Sequence, residues 1–137
     1  MTMAKIFNLT QHTATQTQVD QGVVEPSDKE AVQALLTIEE LPERSELSDR
    51  ATKLAEIVKE SGCEFAMIGG APYFMPILAQ ELKVKGIKSL YSFSQRRSID
   101  KHVDGKVVKS QVFEHIGFFD GTPTDYYDGY NGGTFVF

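Results

Sequence analysis

The 137-residue chain has a single cysteine, Cys63. That excludes an internal disulfide and any zinc site built from several cysteines. Following Gly62 and preceding an expected strand, Cys63 reads as a buried structural thiol. No apolar run approaches the roughly 18 residues of a membrane span, and the N-terminus lacks the pattern of a secretory signal. The expectation is therefore a cytoplasmic protein with no membrane contact. There is no internal repeat, P-loop, G-x-G-x-x-G, nucleophile elbow or closely spaced Cys/His pair.

What is present is an ordinary globular composition with an uneven charge. The net charge is −5, yet residues 83–109 carry eight Lys or Arg against two acids. A basic segment inside an acidic protein points to a local anion site, not to bulk affinity for duplex nucleic acid. Lys83, Lys85 and Lys88 read as a solvated face; Arg96 and Arg97 follow an expected strand end.

Hydrophobic patterning predicts a strand over 4–9, a short helix capped by Thr15 and stopped by Gly22, and a helix opened by a Ser27/Glu30 capping box. Residues 36–38 predict a brief strand. Leu47, Ala51, Leu54, Ala55 and Val58 recur at helical spacing and predict a helix over 47–61 that Gly62 ends. A continuous apolar strand over 65–68, a helix over 72–85 and a strand over 87–93 follow. Residues 97–103 and 106–118 flank Asp104-Gly105, which favours a two-residue hairpin turn. The pattern is βαβαβ followed by an antiparallel hairpin: an α/β fold with a mostly parallel sheet between helices in three layers. Residues 1–118 form one domain. Residues 119–137, rich in Gly, Asp and Tyr, read as a tail whose last three residues can add an edge strand.

In an open α/β sheet, ligands bind beyond the carboxyl ends of the strands. Three segments are expected to meet there: Thr10, Gln11, His12 and Thr13; Gly69, Gly70 and Ala71; and Ser92 to Arg97, with Ser94, Arg96 and Arg97 foremost. The Gly69-Gly70 pair either permits a tight strand-to-helix connection or aims bare amides and a helix N-terminus at an anion. Hydroxyls, an imidazole, amides and guanidinium groups suit a phosphodiester or small nucleotide. His12 is the candidate for acid/base chemistry, with loop orientation as its alternative role. His102 reads as exposed and His115 as structural. No carboxylate lies in these segments, so neither a metal nor a cofactor is expected.

Two stretches carry a family resemblance. His12, Thr15 and Gln18 form His-x-x-Thr-x-x-Gln after the first strand, and residues 104–118 read DGKVVKSQVFEHIGF. On these, and on the Arg96-Arg97 pair, the chain resembles the small CRISPR-associated Rossmann-like ring nucleases, implicated in degrading cyclic oligoadenylate messengers. The resemblance implies a homodimer with a two-fold pocket and metal-independent cleavage, in which a ribose 2′-hydroxyl attacks its own phosphate. It suggests His12, Ser94 and Arg96 for catalysis, with Thr10, Gln11, Thr13, Gly69, Gly70, Ala71 and Arg97 for binding. Two alternatives stay open: a non-catalytic sensor or sponge of a small nucleotide, and an accessory protein whose Tyr-rich tail binds a partner.

Overall fold

Ile6–Leu9 are four consecutive buried residues, and as a strand they pair their backbone with neighbouring strands on both sides. The computed structural model describes residues 4–124. Its elements are β1 (Ile6–Leu9), α1 (Gln16–Asp20), β2 (Val23–Val24), α2 (Lys29–Leu36), α3 (Arg44–Ser61), β3 (Phe65–Ile68), α4 (Met75–Val84), β4 (Lys88–Val103) and β5 (Lys106–Asp120). They make a mixed α/β fold with one five-stranded sheet, ordered β2-β1-β3-β4-β5. The first four strands run parallel and β5 is antiparallel to β4.

The two faces of the sheet are covered unequally. Phe7, Leu9, Ala66 and Ile68 point to one face and pack against Val32 of α2, Leu54 and Val58 of α3, and Leu78 and Leu82 of α4. On the other face lies a small cluster of Ile6, Val23, Met67 and Leu90, flanked by Ala14, Phe65 and Phe118. Helix α1 has no buried residue of its own. It stands over this face by its polar side chains.

Several sequence expectations change here. Residues 36–38 are not a strand: Leu36 ends α2, Thr37 caps it, and the Arg50 guanidinium donates to the carbonyls of Ala34, Leu35 and Thr37. Those are acceptors at a helix end, and a single terminal nitrogen of the arginine reaches all three without strand pairing. The cap of α2 is Asp28, one residue after Ser27. Helix α3 begins at Arg44, earlier than its apolar stripe indicates. Helix α4 begins at Met75, because residues 72–74 form a turn, and Pro76 falls in its first turn. β2, only two residues long, was not foreseen.

The largest correction concerns residues 87–103. The two strands expected there are one, β4, running unbroken through Ser94, Arg96 and Arg97. With β5 it forms a long antiparallel ribbon joined at Asp104-Gly105, whose φ values of 50° and 75° fit a two-residue turn. The pairing slips once: Phe93 faces Gly117 but Ser94 faces His115, leaving Ile116 as the extra residue of a β-bulge. β5 runs on through Phe119 and Asp120, and Thr122 docks on β4 by accepting from the Ser89 N–H at 2.9 Å. The expected edge strand at 135–137 lies outside the described residues.

Ser89 is fully buried, and among the described residues its hydroxyl has no hydrogen-bond partner. Removing an unpaired buried hydroxyl relieves a desolvation cost. Ser89→Ala is therefore expected to be neutral or to stabilise by up to about 1 kcal/mol in urea unfolding. A clear loss of stability would mean that the hydroxyl has a partner.

Candidate functional site

The chain leaves β1 toward β2 on one side and returns to β3 on the other, so the strand order reverses between β1 and β3. Neighbouring strand ends diverge at such a point and open a crevice. A cavity of about 470 Å³ lies there, lined by Thr10, Gln11, His12, Thr13, Thr15, Gln18, Met67, Ile68, Gly69, Gly70, Tyr91 and Ser92. A second cavity of about 550 Å³ lies between residues 38–47 and Tyr73 and Ile77 and shares no lining residue with the first.

The loop after β1 is held from behind by Asn8, which is 1% exposed. Its side-chain carbonyl accepts from the Thr10 N–H (3.0 Å) and the Thr10 hydroxyl (2.7 Å). Its amide donates to the His12 carbonyl (2.9 Å) and to Glu25 (3.0 Å). Glu25 also accepts from the Ala14 N–H (2.8 Å), so this carboxylate braces the loop from outside the cavity lining. Lys29 donates to the Thr13 hydroxyl and Gln33 to the Thr10 carbonyl. The Thr10 hydroxyl is thus engaged internally, and Gln11 reaches Thr37. His12 is exposed at the cavity.

Thr15 and Gln18 form a reciprocal capping box at α1. The Gln18 side-chain amide extends further and donates to Ser92 Oγ at 3.2 Å. Ser92 Oγ lies 2.6 Å from His115 Nδ1, and His115 Nε2 lies 2.8 Å from Gln21 Oε1. Gln21 donates its NH₂ to the Ile116 carbonyl, which fixes its amide orientation. An oxygen therefore faces His115 Nε2, that nitrogen carries the proton, and Nδ1 of the neutral ring accepts from Ser92. His115 is 6% exposed and packs on Phe118 at 4.7 Å between ring centroids. Burial lowers its pKa from the ordinary value, which keeps the ring neutral. Burial likewise raises the Tyr91 phenol, so it stays protonated.

Of the residues expected at the site, Thr10, Gln11, His12, Thr13, Gly69 and Gly70 line the cavity and Ala71 packs on the main core. Ser94, Arg96 and Arg97 are strand residues on the exposed ribbon, outside the cavity of their own chain. Arg96 lies 5.3 Å over the Phe113 ring and Arg97 pairs with Glu114. Cation–π stacking and ion pairing across the ribbon occupy both guanidinium groups. Sequence reasoning missed Asn8 and Glu25 altogether. It placed Ser92 near the site without its partner, His115. Cys63 is buried and His102 exposed, as expected.

Among the described residues no group of three or more His, Cys, Asp or Glu side chains converges. Among the same residues no helix is long and apolar enough to cross a membrane. Residues 4–119 match the family described as "Uncharacterized protein MJ1673 family". No curated protein and no solved structure matches the chain. On the extent of the family match, the chain belongs to the MJ1673 family.

Proposed function

We propose that this member of the MJ1673 family is a metal-independent phosphodiesterase, a ring nuclease that opens a cyclic oligoadenylate, built on a Rossmann-like three-layer sandwich ending in a C-terminal hairpin. The observation that carries the reading is the cavity at the reversal of strand order, lined by hydroxyls, carboxamides, one imidazole and two glycines, with no carboxylate in the lining. A phosphodiester fits such donors, and repulsion by a carboxylate is avoided. The resemblance of His12, Thr15, Gln18 and residues 104–118 to the ring nucleases supplies the substrate class.

Cleavage needs no external nucleophile. The ribose 2′-oxygen bonds to its adjacent phosphorus, the bond to the 5′-oxygen breaks, and the products are a 2′,3′-cyclic phosphate and a 5′-hydroxyl. The chain's work is to hold the sugar in line and to stabilise phosphorane charge. Backbone amides at Gly69 and Gly70 suit the second task, and His12 suits protonation of the leaving oxygen. Thr13 and Gln11 are binding groups at the rim. A ring of several nucleotides is larger than one cavity, which a homodimer answers by joining two. Ser94, Arg96 and Arg97 enter through that homodimer, since the ribbon of one copy would carry them toward the other. A cytoplasmic location belongs to the same reading.

The test is incubation of the purified chain with cyclic tetra-adenylate in excess chelator, followed by product analysis. Linear products with 2′,3′-cyclic phosphate ends, slowed about 100-fold or more by His12→Ala, are expected. No turnover and no binding would sink the reading. One observation favours a second reading, a sensor or sponge: no Lys or Arg lines the cavity. Tight binding without products would establish that one.

A further inference from the structure

We propose that Ser92, backed by His115 and Gln21, is the proton acceptor of the cavity: the ribose 2′-hydroxyl gives its proton to Ser92 Oγ as Ser92 passes its own to His115 Nδ1. The inference rests on the phosphodiesterase reading and assigns its general base, a role that no residue in that reading fills.

The β-bulge makes the arrangement. Ser92 faces Phe118 directly, and the next residue of β4 on the same face is Ser94. In unbroken register Ser94 would face Ile116, and His115 would lie on the opposite face with Gly117. The extra residue changes the parity, brings His115 opposite Ser94, and so places its ring on the Ser92 face. Bulges re-aim side chains in this way, and they recur beside active sites. The same bulge frees the Ile116 carbonyl to accept from Gln21 (3.2 Å), which orients Gln21 toward the ring. One irregularity thus sets both the position of His115 and its tautomer.

Exposure divides the labour. Ser92 is exposed and lines the cavity, whereas His115 is buried behind it. A substrate meets the hydroxyl and never the imidazole. The Ser92 proton points at Nδ1, and Gln18 donates to Oγ from α1. One lone pair of Oγ remains to accept from an incoming hydroxyl. Ser94 lacks both the cavity and the backing ring.

The step balances without a co-reactant. The 2′-oxygen forms its bond to phosphorus while its proton moves to Ser92 Oγ, and the Ser92 proton moves to His115 Nδ1. The resulting imidazolium keeps its Nε2 proton on Gln21 Oε1. The electron pair of the broken P–O bond leaves on the 5′-oxygen, which takes a proton from His12 or water. His115 then returns its proton through Ser92 to solvent. Gln21 is a positioning residue, and of Ser92, His115 and Gln21 only Ser92 touches substrate.

The experiment measures kcat and KM on cyclic tetra-adenylate for the full chain and three variants, with the imidazole ¹⁵N spectrum beside them. Ser92→Ala, an exposed change that removes only the hydroxyl, is expected to lower kcat about 100-fold or more with KM little changed. His115→Gln keeps a hydrogen-bond acceptor for Ser92 but no base, so it is expected to fall equally. Were the contact only a staple between strands, His115→Gln would restore the rate and overturn the inference. Gln21→Leu is expected to lose the single tautomer and part of kcat. In the wild-type ¹⁵N spectrum His115 should be protonated at Nε2 and bare at Nδ1, and the opposite tautomer would overturn the inference. Cleavage of a fully 2′-deoxy ring would also overturn it, making Ser92 a nucleophile. Wild-type turnover that survives Ser92→Ala removes this inference alone, whereas absence of wild-type turnover removes the phosphodiesterase reading beneath it.

Discussion

Asn8→Leu is expected to lower folding stability by about 2–4 kcal/mol and to abolish ligand binding at the strand-end cavity. The substitution is nearly isosteric and the residue fully buried, so packing volume is kept while four hydrogen-bonding functions vanish. Each buried group left without a partner costs roughly 1–3 kcal/mol, and a charged one more. The Thr10 N–H and the His12 carbonyl face that loss directly. Glu25 fares better, because it keeps the Ala14 N–H and a 3.9 Å approach of Lys29. Rehydration of the loop recovers part of the sum, which sets the upper bound. Urea unfolding, read with a binding isotherm for the nucleotide probe, measures both effects. Stability within 0.5 kcal/mol of wild type, an ordinary surface-substitution value, would show that Asn8 does not hold the loop.

Gly121→Ala is expected to cost about 1–3 kcal/mol and to weaken ligand binding, though Gly121 is not in the cavity lining. A Cβ built there would lie 2.7 Å from Cδ2 of Tyr91 and closer still to Cε2. Tyr91 lines the cavity and packs on the main core, so its ring has few places to go. The backbone cannot yield either, since the Gly121 N–H is bonded to the Ser89 carbonyl at 2.9 Å. The ring must turn, and the cavity wall turns with it. A double-mutant cycle isolates this cause. With Tyr91→Ala in place, Gly121→Ala should cost almost nothing further. An undiminished penalty in that background would mean that the backbone, not the ring, is strained.

Legibility in the sequence tracked burial. α3 and β3 were readable because buried faces impose periodicity on side chains: Leu47, Ala51, Leu54, Ala55 and Val58 are all buried, as are Ala66 to Ile68. The Gly69-Gly70 turn was legible as a strand end at the carboxyl edge of the sheet, and both glycines line the cavity. The break expected at residues 94–96 failed for the converse reason. The stretch is strand, but exposed on both faces, so nothing selects apolar residues and its polar run imitates a loop. β2 is too short to show any period. The Ser92–His115 contact was hidden more deeply. It depends on which side of β5 His115 occupies, and a bulge inverts that parity without leaving a residue-type signature. Asn8 stands as one polar position in an apolar strand. Only Glu25, 17 residues away, gives it meaning.

The cavity is assembled from three stretches far apart in the chain, around residues 10–18, 67–70 and 91–92. An unfolded chain holds each fragment separately and the site nowhere. Whatever binds there consequently recognises the folded form alone, and mass action converts its concentration into resistance to unfolding. At 100 times its dissociation constant a ligand adds about 2.7 kcal/mol, comparable with the loss expected for Asn8→Leu. On the proposed reading, the lifetime of this protein against proteolysis is expected to follow the abundance of its nucleotide ligand, rising when the small molecule accumulates and falling as it is removed.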